Sequence, residues 1–372
     1  MRIKTITCHN VYNYGASLQA YALQHYLEIL GNDVEIIDFQ PYFHQNRYNL
    51  MYVDKRRKVY KLSKLIPFSK YIIFPYLNRG MRKTWGRKRA FDNFTETYLP
   101  LTQRYETSEE LKQNPPVADI YVAGSDQIWN TDSMNGRTPG YYLDFGSAKK
   151  ISYAASFAVS KVEDEWKPLV KQMLSHFDHI SVREKTGLKI LQDLGIEDGK
   201  QVVDPVFLLN KTEWTKLADL SKDYHLKEGK YILIYDFLND DRIATFAHKL
   251  SQELHLPTVS INDFLTLPYV NKNINDAGPL EFISLIQHSA SVVCSSFHAS
   301  AFSLIFRKPF YVFPLKGQNN SSRMEDLLSL IGHRERFMPN AILDDMDYDS
   351  INSILDNEIE RSKDVLRTFI DK

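Results

Sequence analysis

SVVCSSFHASAFSLIFRKPFYVF, residues Ser291–Phe313, passes from strand to helix to strand. Val292, Val293 and Cys294 form a short apolar run of the kind buried in a parallel sheet. The chain then turns polar through Ser295, Ser296 and His298. From Ala299, small and then bulky apolar residues predict a helix packed closely on that sheet. Lys308-Pro309 ends the helix, and Phe310–Phe313 reads as the next strand. His298 is thereby predicted at the outer end of a strand and in the first turn of a helix. Ligands bind there in open α/β sheets, and free amide groups favour anions there. A polar cap on a buried helix, carrying an incidental histidine, fits the same residues.

The same alternation extends in both directions. Arg2–Thr7 is β-rich, Asn13-Tyr14-Gly15 is a turn signal, and Ala16–Leu30 places Leu18, Ala22, Leu23, Tyr26, Leu27 and Leu30 on one helical face. Val34–Ile37 follows as a strand. A second series comprises strands at Ile120–Ala123, Ile151–Ala155, Ile180–Val182 and Val202-Val203, with helices across about Glu163–Phe177 and Glu184–Leu194. Asp204-Pro205 punctuates it as a crossing between domains. Strands at Tyr231–Tyr235 and Thr258–Ile261 and helices at Asp241–Leu254 and Leu280–His288 then lead into the opening motif. Alternation throughout predicts parallel sheets with helices on both faces. The expected architecture is α/β, with two doubly wound Rossmann-like domains facing across a cleft. The expected divisions are 1–204, with an insertion at about 41–100, then 205–340, and a helical segment 341–372 packing back.

At 372 residues, two domains are the natural prior. A formal net charge of zero argues against bulk electrostatic binding of nucleic acid. The two cysteines, Cys8 and Cys294, lie far apart in apolar runs, which suits buried thiols in a reducing compartment. The N-terminus lacks the apolar run of a signal peptide, and no stretch approaches 18 uninterrupted apolar residues. A cytoplasmic protein is expected. Lys55–Phe91 differs from its surroundings. It carries 13 Lys or Arg residues and no Asp or Glu, interleaved with aromatic and aliphatic residues. That mixture suits peripheral contact with an anionic membrane or a lipid-linked phosphate acceptor. A solvated insertion balanced by acidic residues elsewhere fits as well.

No GxGxxG fingerprint indicates a dinucleotide, and no pair of His residues has metal-ligand spacing, so neither cofactor nor metal is expected. Asp345-Met346-Asp347 has the spacing of a metal-binding DxD of a sugar transferase, but it lies in a polar run that reads better as a solvated loop. Four places remain. Asn13, Gly15 and Ser17 join the first strand to the first helix, where a close-approaching ligand would need Gly15. Ser125, Asp126 and Gln127 follow the strand Ile120–Ala123, with Trp129-Asn130 beyond, a mixture that suits a sugar. Arg183 follows Ile180–Val182, where a guanidinium can hold phosphate or carboxylate, or merely form a surface ion pair with Glu184. Asn319-Asn320-Ser321-Ser322-Arg323 precedes a helix at Met324–Leu330 and either presents amides and one guanidinium to an anion or caps that helix.

Seven segments in order are VYNYGASLQAYAL, YVAGSDQIWN, ISYAASF, ISVREKTG, VVDPVFLL, GPLEFISLI and VCSSFHASAFSLIFRKPF. Through them the chain resembles the polysaccharide pyruvyl transferase family over nearly its whole length. The resemblance implies a GT-B-like fold and transfer of a pyruvyl group from phosphoenolpyruvate to hydroxyls of a saccharide or lipid-linked saccharide, forming a ketal. It places the acceptor on the N-terminal domain and the donor on the C-terminal one. The family's donor-binding Arg falls on Arg183, and its Arg-Leu-His triplet on Ser296, Phe297 and His298. The histidine is kept while the arginine is replaced by Ser296, so Arg323 or Lys316 is expected to supply the missing charge. His298 is expected to act as general acid or phosphate ligand, in an electropositive notch between the two halves. A nucleotide-sugar glycosyltransferase and a non-catalytic glycan- or anion-binding relative are the alternatives, since such a cleft serves all three.

Overall fold

The computed structural model describes residues 1–44, 48–51, 58–63, 68–262, 265–316 and 322–371. Residues 55–57 and 64–67 of the basic segment and residues 319–321 of the anion loop lie outside them. The first sheet contains β1 (Arg2–Ile6), β2 (Asp33–Phe39), β3 (Leu101–Tyr105), β4 (Ile120–Ala123) and β5 (Lys149–Ser152), in the order β3-β2-β1-β4-β5. All its neighbours pair in parallel. Bridges Ile151↔His179 and Ala155↔Val182 carry the pairing on to β6 (Ser181–Val182), which pairs with β7 (Lys200–Gln201). The second sheet contains β8 (Ile232–Tyr235), β9 (Thr258–Ile261), β10 (Lys272–Ile274), β11 (Ser291–Cys294) and β12 (Phe310–Val312), in the order β10-β9-β8-β11-β12. It too is parallel throughout. Burial on both faces explains why the strands β4, β8, β9 and β11 are mostly apolar or β-branched, with Ser260 and Ser291 the small polar exceptions, and buried at every position.

Each sheet reverses its strand order once, between β1 and β4 and between β8 and β11. The crevice beyond the strand ends at such a reversal is where open α/β sheets bind ligands. Residues 124–127 and 295–298 both emerge there.

The two domains share an apolar core through the helix Tyr14–Ile29. Tyr14 stacks on Phe282 with centroids 4.6 Å apart, and its hydroxyl donates to the carbonyl of Ala277 at 3.0 Å. The helix Trp85–Tyr98, which closes the basic segment, reaches the second domain as well. A Cβ at Gly86 would lie 2.7 Å from the Cβ of Asp276, so only glycine admits that approach. One residue on, Arg87 is fully buried and donates to Tyr12 O at 2.8 Å, Tyr14 Oη at 3.2 Å and Tyr48 Oη at 3.2 Å. The insertion is thus tied to the first loop of the first domain.

The helix Tyr348–Asp371 lies along the first domain. Ser362 Oγ accepts from Val203 N at 3.0 Å, and Phe369 stacks on His179 at 4.7 Å. Among the described residues no helix is long and apolar enough to cross a membrane.

Candidate functional site

Arg183 leaves the end of β6 and is almost completely enclosed, with its side chain 3% exposed. Its Nη1 donates to Asp204 Oδ2 at 2.7 Å and to Ser125 Oγ at 3.4 Å, and its Nε donates to Glu184 Oε1 at 3.3 Å. Ser125 Oγ in turn donates to Asp204 Oδ2 at 3.3 Å. The Ser156 hydroxyl donates to the same Glu184 Oε1. Asp204 is fixed from behind because it caps the short helix Pro205–Leu208, accepting from Val206 N at 3.1 Å.

His298 Nε2 approaches the same Asp204 oxygen to 3.5 Å without forming a hydrogen bond. One carboxylate oxygen therefore gathers Arg183, Ser125 and His298 from three elements and both domains. Burial pushes the Asp204 carboxyl upward, but His298 and Arg183 outweigh it and hold its pKa well below the usual carboxylate range. Arg183 is likewise penalised by burial, yet Glu184 and Asp204 leave its pKa above that of an ordinary guanidinium.

A cavity of about 240 Å³ opens beside this cluster, lined by Arg183, Glu184, Asp204, Phe297 and Arg323 with an apolar floor that includes Leu327. The Phe297 ring lies under the Arg183 guanidinium at 5.2 Å. Arg323, from the helix Ser322–Leu330, brings its Nε to 4.0 Å from Glu184 Oε1, too far for a hydrogen bond. Burial and the adjacent Arg183 lower its pKa to about 10. Arg183 Nη2, Glu184 Oε2, His298 Nε2 and Arg323 Nε are all buried without a hydrogen-bond partner. Buried polar atoms are normally paired, so this concentration marks a seat for a polar ligand. The expected electropositive notch is instead charge-balanced, because Glu184 and Asp204 face the two guanidiniums.

His298 does not line that cavity. It sits beyond Asp204, against the first domain: a Cβ on Gly15 would come within 2.0 Å of His298 Nδ1. The glycine expected to admit a ligand makes room for the imidazole. Asn13 caps the helix Tyr14–Ile29, accepting from Ala16 N at 3.2 Å, and Ser17 Oγ donates to His9 O at 3.5 Å. Ser125 reaches the cluster. Asp126 adopts a left-handed φ of 73° and bridges to Ala155, and Gln127 Oε1 accepts from Asn130 Nδ2 at 3.1 Å. Trp129 is no sugar platform, since it is fully buried and stacks on Tyr142.

Ser296 caps the helix Phe297–Ile305, its hydroxyl accepting from Ala299 N at 3.4 Å. Lys316 pairs with Asp240 at 3.3 Å, away from the cavity, so of the two cations expected to replace the missing arginine only Arg323 is in position. Asp347 accepts from Ser350 Oγ at 2.6 Å at the start of the last helix. Among the described residues no group of three or more His, Cys, Asp and Glu side chains could hold a metal ion.

The residues that sequence reasoning missed are Asp204, read as a domain crossing, and Glu184, read as a surface partner. Their signal was position: each follows a predicted strand on the same sheet as Arg183.

The family model for polysaccharide pyruvyl transferases matches residues 13–316. No curated protein sequence matches the chain. Among solved structures, the UDP-GlcNAc 2-epimerase of Methanocaldococcus jannaschii in complex with UDP-GlcNAc and UDP is similar with a TM-score of 0.51 at 11% identity, covering 100% of both chains. The UDP-GlcNAc 2-epimerase of Neisseria meningitidis bound to UDP-GlcNAc gives 0.49 at 11% identity, again covering 100% of both chains. At such identity the likeness is one of fold, and the fold is GT-B.

Proposed function

The chain belongs to the polysaccharide pyruvyl transferase family, and from that premise we propose that it moves a pyruvyl group from phosphoenolpyruvate to two hydroxyls of a saccharide. The observation that carries this reading is the cavity in which Arg183 Nη2 and Arg323 Nε are both buried and without a partner. Two guanidinium donors suit the phosphate and carboxylate of one small donor molecule. At about 240 Å³ the cavity has room for a small dianion.

In this reading the donor's methylene carbon accepts a proton, leaving positive charge at C2, which a sugar hydroxyl attacks. The C2–O bond to phosphate then breaks, phosphate departs with the electron pair, and a second hydroxyl closes the ketal. Both hydroxyls release their protons. Arg183 and Arg323 hold the anions and stabilise the leaving phosphate. His298 moves a proton, a role typically worth about 10²–10⁴ in rate. Its place supports that role, because the ring lies against the first-domain loop at Gly15 and only the Asp204 carboxylate stands between it and the donor cavity. Asp204 orients the imidazole and Arg183 together and is a positioning residue.

The saccharide, free or lipid-linked, would enter beside residues 13–17 and 125–127. The reading needs no resident metal or cofactor. Its setting is the cytoplasm, with the basic insertion turned to the inner face of the membrane; the two free, buried thiols agree with a reducing compartment.

Phosphate release from phosphoenolpyruvate in the presence of candidate saccharides tests the proposal. Release that depends on the saccharide supports it. Binding of a nucleotide sugar without any effect of phosphoenolpyruvate would replace it with glycosyl transfer.

A further inference from the structure

The helix Lys70–Leu77 and the turn before it present an apolar face outward rather than inward. Phe68 is 79% exposed and Ile72 77% exposed, with Tyr76 at 61%. Spacing of four residues puts Ile72 and Tyr76 on one side of the helix, and Phe68, in the turn before it, adds a third exposed apolar side chain. Phe74 points the other way, is buried, and stacks with Tyr60 at 6.1 Å. The helix therefore has its inward anchor and still leaves a second apolar row in solvent. Cations flank that row. Lys70 lies 5.0 Å from the centroid of the Tyr71 ring and Arg79 4.2 Å from that of Tyr76, and both bases are exposed.

We propose that this face docks peripherally on a lipid bilayer with anionic headgroups, the apolar row entering the headgroup boundary and the bases meeting lipid phosphates. Aromatic and aliphatic side chains beside Lys and Arg are the composition of interfacial helices. Charge complementarity selects this occupant. Of the 46 basic residues 13 lie between Lys55 and Phe91, while all 46 acidic residues lie outside it. The rest of the chain is thus net acidic, and an anionic surface both attracts the insertion and turns the remainder away. A second copy of the same face would bring like charges together. Arg87 ties the insertion to Tyr12 and Tyr14, so a docked molecule carries its first-domain loop at a set position relative to the bilayer.

The proposal does not depend on the donor chemistry. Flotation of the full chain with vesicles of phosphatidylcholine, with and without phosphatidylglycerol, tests it directly. Binding to the anionic vesicles, reversed by salt, is the expected result. The double substitution Ile72→Asp and Tyr76→Asp should lower the vesicle partition coefficient by roughly tenfold or more. Its melting temperature and its phosphate release with a water-soluble saccharide should be unchanged. Equal binding to both vesicle types, no binding to either, or undiminished binding by the double variant would overturn the proposal. So would concentration-dependent self-association that the double variant abolishes, because the face would then belong to a second copy.

Discussion

Arg183 and Arg323 line the same cavity and have opposite surroundings. Arg183 is gripped by two carboxylates and a serine hydroxyl, which raise its pKa despite complete burial. Arg323 is desolvated beside another cation, and its pKa falls to about 10. At neutral pH both are charged, but the charge of Arg183 is already spoken for. Arg323 is the guanidinium whose environment improves most when an anion arrives. Both offer the donor a free N–H, but Arg183 also builds the site, whereas Arg323 has the ligand as its main partner.

The largest effect should come from the imidazole beside the Asp204 carboxylate that also holds Arg183. His298→Ala should lower turnover by about 10²–10⁴, with the melting temperature little changed. Residual turnover near the parent's would remove His298 from the chemistry. Gly15→Ala should act through the same ring, since its methyl group needs the space of Nδ1. The double variant should therefore be no slower than His298→Ala alone; additive losses would mean that Gly15 serves something else.

Arg183→Gln strands two buried carboxylates and should cost about 3–5 kcal/mol, read as a shift in the urea midpoint. A shift within error of zero would erase the distinction between the two arginines.

The same cluster sets a pH response. The pKa of Asp204 is lower folded than unfolded, so its contribution to stability is complete above the ordinary carboxylate range, about 4, and is lost as pH falls below that toward the depressed folded value. Stability measured against pH should show this acid limb in the parent and a flatter one in Asp204→Asn.

Arg323→Gln should be the mildest, leaving stability unchanged or raised while the KM for phosphoenolpyruvate rises roughly 10- to 100-fold, the worth of a hydrogen bond to a charged group. An unchanged KM would move the donor elsewhere.

Much of the fold was legible because buried parallel strands are written as mostly apolar or β-branched runs. Ile120–Ala123, Thr258–Ile261 and the helix Asp241–Leu254 occur with the bounds their residues predict. β3 was not legible, because LTQRY is an edge strand with one fully buried residue. The helix Trp85–Tyr98 was hidden in a basic run. The final strand of the first series also lies two residues earlier than Val202-Val203 suggests, and Val202 only continues its ladder by donating to Val182 O.

Within the site, strand ends pointed to Arg183 and His298, and the loop before a helix pointed to Arg323. The convergence on Asp204 had no local sign, since its partners come from residues 125, 183 and 298. Nor could spacing reveal that Gly15 faces a side chain from the other domain.

The fit of Gly86 against Asp276 also bears on motion. A backbone seated so closely on the opposite lobe acts as a doorstop for the crevice. Parting the sheets requires either that this seat be given up or that the entire inserted arm swing with the second lobe.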